Sequence, residues 1–310
     1  MAARIRVGTC SFADEALTKH WYPPGVRSSE QRLRYYAGHF DTTEVDSTFY
    51  RLPTEETTAN WAARTPDGFV FHVKAFAPMT RHPVKLEQLP ADLHEGLEVD
   101  ARGRVERLPR KVRGELFRRF LSAVKPLREA GKLGGILLQL APYVVFRDRS
   151  LEYLEWVREQ LAGDDVLVEF RHLSWLDGEH RAETLSFLEQ HRLTNVIVDA
   201  PRSEARNLVP TVVALTSPTA YVRLHGRNAA TWNVRGGSAS DRFDYLYSAT
   251  ELGEWVEPLR GLSGEAEQAF VLFNNNRWSP AVDDPRRQLA QAPQNAELLA
   301  SLLRDANVPT

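Results

Sequence analysis

Eight short apolar runs, rich in β-branched and aromatic residues, recur along the chain: 4–9, 42–46, 69–74, 135–140, 166–170, 195–199, 220–225 and 269–274. Several are continuous rather than alternating, the pattern of strands buried on both faces of a parallel sheet. Between most of them, apolar residues return at three-to-four spacing and predict helices over 29–39, 54–64, 113–130, 150–162, 179–191, 250–260 and 294–305. The 29–39 helix opens on a Ser cap signal. Thr54, followed by acids, suits a helix start. Ser150 and Gly163 would cap the two ends of the 150–162 segment. Segment 200–218 carries three prolines and predicts a short helix at best.

Eightfold strand–helix alternation predicts an α/β fold, a (β/α)8 TIM-like barrel in one domain spanning 1–310. Dividing 310 residues by eight gives roughly 39 per unit, above the roughly 30 of a minimal βαβ motif. The surplus falls in two insertions, at about 75–112 and 226–249.

Lys+Arg number 39 and Asp+Glu 41, so 39 − 41 gives a net charge of −2. That disfavours a general polyanion binder but leaves room for a local basic patch. The single cysteine, Cys10, excludes a disulfide framework within the chain and a multi-cysteine metal cluster. Its scarcity suits a reducing, cytoplasmic compartment. No run approaches the roughly 18 apolar residues of a membrane span. The first residues pass straight into a strand pattern, so no signal peptide is expected.

Active sites of such barrels lie at the C-terminal ends of the strands, the mouth. Alternation of side chains would bring Thr9 and Ser11, Glu44 and Asp46, His72 and Lys74, Gln139, Glu169 and Arg171, Asp199, Arg223 and His225, and Asn274 and Asn276 to that end. Every strand thus ends in a polar group, and unpaired burial of so many would be costly. Four acids (Glu44, Asp46, Glu169, Asp199) face three cations (Lys74, Arg171, Arg223) and two histidines.

Several motifs carry a resemblance. Gly8-Thr9-Cys10-Ser11-Phe12 with His20-Trp21-Tyr22-Pro23, the run Glu44 to Pro53, Glu169-Phe170-Arg171-His172 with Ser174-Trp175, Tyr221 to Arg227, Asp244 to Tyr247 and Asn274-Asn275-Asn276 follow one another along nearly the whole chain. Together they resemble the YecE-like family, domain of unknown function 72. The resemblance implies a TIM-like barrel and marks these positions, but it names no reaction. The chain departs from the family at Cys10-Ser11-Phe12, where a Ser-Gly-Trp opening is common.

Two classes of function follow from the residues. The first is an enzyme doing acid/base chemistry on a small phosphorylated or carboxylated metabolite. Glu44 or Glu169 would be the base, and His72 or His225 the proton shuttle. Arg171 and Arg223 would clamp the anion, with Lys74, Asp199 and Asn274 orienting it. Ser11, Asp46, Tyr50, Gln139, Arg227 and Trp232 would complete the substrate contacts. Lys74, if desolvated, could also act as a base or imine-forming nucleophile. Trp21, Trp175 and Trp278 also follow strands, where they could stack on a ligand. The loop Gly226-Arg227-Asn228, Trp232 and Arg235-Gly236-Gly237-Ser238 would suit a phosphate.

The second class is a nucleic-acid phosphodiesterase or binding module, for which the basic run Arg102, Arg104, Arg107, Arg110, Lys111 and Arg113 argues weakly. A solvated helix approach is the plainer reading of that run. A non-catalytic small-molecule sensor is a third. No cofactor is required. A divalent metal on Glu44, Glu169, Asp199, His72 and His225 is compatible with the residue types, but no helical H-x-x-x-H spacing supports it.

Overall fold

In the computed structural model, residues 2–105, 107–202, 205–232, 239–281 and 284–310 are described. Eight parallel strands close a barrel in sequence order: β1 (Ile5–Thr9), β2 (Thr42–Val45), β3 (Val70–Lys74), β4 (Leu133–Gln139), β5 (Val166–Glu169), β6 (Leu193–Asp199), β7 (Thr219–Leu224) and β8 (Gln268–Phe273), with β8 pairing back onto β1. Each follows one of the apolar runs to within a few residues. Helices Ser29–Ala37, Glu55–Ala63, Arg110–Glu129, Asp148–Gln160, Arg181–Gln190, Val256–Glu265 and Gln291–Asp305 surround the barrel. Between β6 and β7 the described residues hold no helix.

Local chemistry sets the helix ends. Ser28 accepts from the Gln31 N–H while the Gln31 side chain returns to the Ser28 N–H, a reciprocal cap. Thr54 caps its helix through the Thr57 N–H at 3.1 Å. The expectation for Ser150 is corrected: the helix begins at Asp148, and Ser150 lies buried inside it. Its far end stops at Gln160 rather than at Gly163.

The barrel interior packs Cys10, Val70, Leu137, Leu167, Val196, Val198, Tyr221, Phe270 and Leu272. A larger core of apolar residues fills the shell between strands and helices. At Gly8 a Cβ would lie 2.2 Å from the Thr42 carbonyl oxygen, so only glycine lets β1 approach β2 this closely. Gly226, at φ +87°, turns the chain sharply after β7 and donates its N–H to the Tyr247 hydroxyl at 2.8 Å.

The 75–112 insertion holds 3-10 turns and a small antiparallel hairpin, Val84–Lys85 with Arg104–Val105. The sequence pattern did not predict this hairpin, nor the short helix Glu15–His20 after β1. No helix among the described residues is long and apolar enough to cross a membrane.

Candidate functional site

The interior side chains decide what faces the mouth. Since Cys10 is interior, Thr9 and Ser11 point the other way. Thr9 bonds the Tyr36 hydroxyl at 2.9 Å, and the Ser11 hydroxyl accepts from the Ala13 N–H at 3.0 Å. Likewise Val198 is interior, so Asp199 points outward to the helical shell. There it accepts from Arg227 Nε at 3.0 and 3.1 Å, with the Tyr247 and Trp255 side chains also near it. Arg227 continues outward to Glu254 at 2.9 Å. The structure therefore places Ser11, Asp199 and Arg227 outside the interior set expected of them.

Arg223, on β7, is fully buried at the centre of the barrel. Its Nη2 donates to Glu44 Oε1 at 2.8 Å and its Nη1 to Glu169 Oε2. Tyr221 donates to the second Glu44 oxygen at 3.0 Å. Gln139 reaches Arg223 Nη1 at 3.5 Å. His225 Nε2 lies 3.2 Å from the second Glu169 oxygen, and Asn274 Nδ2 lies 2.8 Å from His225 Nδ1. An ionised Glu169 can only accept, so His225 donates from Nε2 and accepts from Asn274 at Nδ1. One connected network thus runs from Asn274 through His225, Glu169, Arg223 and Glu44 to Tyr221.

Burial tends to raise the Glu169 carboxyl, but Arg223, His225 and Arg171 overcome it and hold the group well below the usual range. A carboxylate held so firmly is a poor proton acceptor near neutral pH. Burial lowers His225 to about 3 despite Glu169 beside it, so its imidazole stays neutral. His72 is also lowered to about 3 by burial, with the Arg6 charge adding to it. Its ring packs between Tyr221 and Phe270 with centroids at 4.7 and 4.4 Å, and neither nitrogen has a hydrogen-bond partner. His72 and His225 therefore do not titrate as the sequence reading expected of proton shuttles.

Above this network the mouth keeps uncommitted charge. Lys74 is half-buried, with its ammonium 4.5 Å above the Phe49 ring and no ion pair or side-chain hydrogen bond to a described residue. Burial first, then the Arg223 charge, lowers it from its ordinary value. Arg171 meets Glu169 through Nε at 3.3 Å and lies 5.6 Å from the Trp232 ring centroid. Asp46 is half-buried and raised to about 6, by burial opposed by Lys74. Tyr50 stands at the rim, 59% exposed.

Asp14 joins this side of the barrel unannounced by the sequence pattern. Burial raises its carboxyl to about 7, and the Asp46 charge adds to the shift. One oxygen caps the Glu15–His20 helix through the Leu17 N–H at 2.9 Å, while the other is buried without a partner. The Asp14-Glu15 pair, a capping acid before a first-turn acid, was the available signal.

Trp175 is core, donating to the Val144 carbonyl at 2.7 Å, and Trp21 packs among Tyr22, Tyr35, Tyr36 and Phe40. Neither is placed as a ligand-stacking ring. Trp278 packs with His20 and Arg277. Among the described residues, no three His, Cys, Asp or Glu side chains gather as a metal-ligand set. The five residue types compatible with a metal do not converge as one set, because His72 is wedged between rings and Asp199 faces outward. Arg235 to Ser238 lie outside the described residues.

The family described as "Protein of unknown function DUF72" matches residues 6–308. The chain belongs to the DUF72 family. Its DUF72 relatives include the UPF0759 protein YunF of Bacillus subtilis, 30% identical over 272 residues, covering 86% of this chain and 88% of YunF. The UPF0759 protein YecE of Escherichia coli is 27% identical over 228 residues, covering 68% of this chain and 73% of YecE. A crystal structure of a DUF72 protein from Thermotoga maritima superposes with a TM-score of 0.74 at 29% identity, covering 97% of this chain and 99% of that one. Another, from Enterococcus faecalis, gives a TM-score of 0.76 at 25% identity, covering 97% and 95%. The DUF72 barrel is thus the fold of this chain, and the family carries no established reaction.

Proposed function

We propose that the barrel mouth is a catalytic site for a small phosphorylated or carboxylated metabolite. The observation that carries this reading is the division of labour among the charges. Glu44 and Glu169 each take one terminal nitrogen of the buried Arg223 guanidinium, whose Nε has no partner, so these three groups act as a fixed electrostatic floor. Lys74 forms no ion pair with a described carboxylate, although Glu44, Asp46 and Glu169 act on its charge, and Arg171 spends only Nε on an ion pair. Two cations on a half-open floor suit an anionic group, Arg171 by its planar fork and Lys74 as a point charge.

Asp46 is the residue to move a proton. It leaves β2 at the mouth, and its value of about 6 puts both protonation states within reach near neutral pH. Asp14, at about 7, supplies a second carboxyl that is about half protonated at neutral pH. Glu169 and His225 act as positioning residues, holding Arg223 and Asn274 in place. The chemistry that fits is proton abstraction or donation next to a bound anionic group, shared by isomerases, lyases and some hydrolases.

Turnover screening against phosphorylated and carboxylated metabolites tests this. On any substrate found, Asp46→Asn lowers kcat at least about 100-fold, within the usual range for losing a general acid or base. Unchanged kcat in that variant removes Asp46 from the mechanism.

A further inference from the structure

Beside the mouth lies a groove that the acid/base reading does not use. It encloses about 580 Å³ and is lined by Arg81, Arg107, Arg113, Arg147 and Arg149, with Tyr143 among its remaining wall residues. The fold brings these residues together from three places. Arg81 follows the 3-10 turn after β3, Arg107 and Arg113 flank the start of the Arg110–Glu129 helix, and Arg147 and Arg149 sit at the start of the Asp148–Gln160 helix. The groove adjoins the mouth: His82, next in sequence to Arg81, packs its ring 5.0 Å from Phe49, the ring beneath Lys74.

Glu152 lines the adjoining pocket that shares Arg81, Arg113 and Arg149, but no described acid lines the groove itself and none of the five arginines forms an ion pair with a described carboxylate. Two of them are held in place. Arg113 Nε donates to the Pro78 carbonyl at 3.0 Å, and the Arg81 and Arg113 guanidiniums lie 5.2 and 5.5 Å from the Tyr153 ring centroid. The Tyr143 hydroxyl donates to the Arg81 carbonyl. Arg107, Arg147 and Arg149 are exposed. Burial lowers Arg81 below its ordinary value, and Arg113, Arg147 and Arg149 push it the same way against Tyr153. Five like charges with a single acid, Glu152, in the adjoining pocket repel one another on balance, and a bound anion relieves that repulsion.

Two further observations bear on the kind of anion. Both helices that begin at the groove lack a side-chain cap, the first at Pro109 and the second at Arg147, so their first N–H groups add to the positive field. The free charge is also bounded. Beyond Arg113, Arg118 and Arg119 share Glu115 at 2.7 Å, and Arg119 also pairs with Asp92 at 2.9 Å. Arg104, on the other side, is paired with Asp100 at 2.7 Å. A nucleic-acid strand needs a continuous basic track, whereas a concavity of this size fits a small molecule.

We propose that this groove binds a compact di- or triphosphate group, free or carried on a small molecule. The arginine forks match its oxygens. The exposed Tyr143 ring would lie against any ring attached to the phosphates.

Calorimetric titration of the full chain with inorganic triphosphate tests the proposal, with a nucleoside triphosphate and single-stranded oligonucleotides of two lengths as further arms. Triphosphate is expected to bind the wild type, and Arg147→Glu/Arg149→Glu to weaken it at least tenfold. Arg27→Glu, a change at an exposed arginine far along the chain, should leave it unaltered. Asp46→Asn, which tests the mouth chemistry, should also leave it unaltered, so the two readings fail separately. Tighter binding of the nucleoside triphosphate than of triphosphate assigns the site to an esterified ligand; equal binding assigns it to the free anion. No measurable heat at millimolar triphosphate, or equal affinity in the double variant, overturns the proposal. So does an affinity for oligonucleotide that exceeds that for triphosphate and rises with length. Should the double variant show altered circular dichroism, Arg107→Ala, in an exposed segment, gives the same reading.

Discussion

Removing Arg223 leaves Glu44 without an ion-pair partner and Glu169 with only the 3.3 Å contact to Arg171, both carboxylates without measurable exposure. Breaking a buried ion pair from one side costs about 3–5 kcal/mol. At ~2 °C per kcal/mol for a chain of this size, Arg223→Met should lower Tm by about 6–10 °C. Much of that loss is the desolvation of orphaned carboxylates, so Arg223→Met/Glu44→Gln/Glu169→Gln should recover at least half of it. Equilibrium urea unfolding with linear extrapolation measures both.

The pH dependence has a fixed sign. In the wild type, Glu169 is depressed when folded, so its stabilisation is present above its ordinary value near 4.5 and is lost as pH falls through the folded value below that. In Arg223→Met the largest of the charges that oppose burial of Glu169 is gone and burial prevails there, so that variant loses stability as pH rises above about 4.5. The gap between the two proteins is therefore widest at pH 7 and above and narrows towards pH 4. A loss below about 1 kcal/mol, a triple variant no better than the single, or a gap that ignores pH would refute the electrostatic floor.

Three other predictions follow from single residues. Asp14 is raised when folded, so ionising it costs stability as pH climbs from 3.8 towards about 7. Asp14→Asn keeps the cap and should be more stable than wild type by roughly 2 kcal/mol at pH 8, after allowance for solvent screening, with the difference vanishing near pH 4 in urea titrations. His72→Leu removes two buried, unpartnered nitrogens and should leave stability equal or raise it by about 1 kcal/mol; a loss above about 2 kcal/mol would show that the imidazole is needed. Gly8→Ala drives a methyl into the Thr42 carbonyl, and a loss of about 1–3 kcal/mol in the same assay is expected.

The strands were legible because a parallel barrel buries both faces, and that leaves unbroken apolar runs in the sequence. The same property hides direction. A run such as Asn195 to Asp199 shows no alternation that says which residues point inward, and Val198 rather than Asp199 takes the interior position. At β1 the same ambiguity put Ser11 inside in place of Cys10. Where polar residues recur at two-residue spacing, as at Glu44/Asp46, His72/Lys74, Glu169/Arg171 and Arg223/His225, the interior face was readable. What each polar group does there was not, because depth decides it: His72 and His225 differ from a titrating histidine only in their surroundings. The arginine groove shows the remaining limit. The run from Arg102 to Arg113 is visible in the sequence, but Arg81, Arg147 and Arg149 join it only through the fold.

The most direct test of the mouth as an anion site is a thermal-shift screen of phosphorylated and carboxylated metabolites on wild type, Lys74→Met and Asp46→Asn. With all three carried on Arg147→Glu/Arg149→Glu to silence the arginine groove, at least one metabolite should raise the Tm of that parent, raise that of Asp46→Asn by a similar amount, and leave Lys74→Met unmoved. A screen in which no such anion shifts that parent, or in which Lys74→Met responds as the parent does, would contradict it.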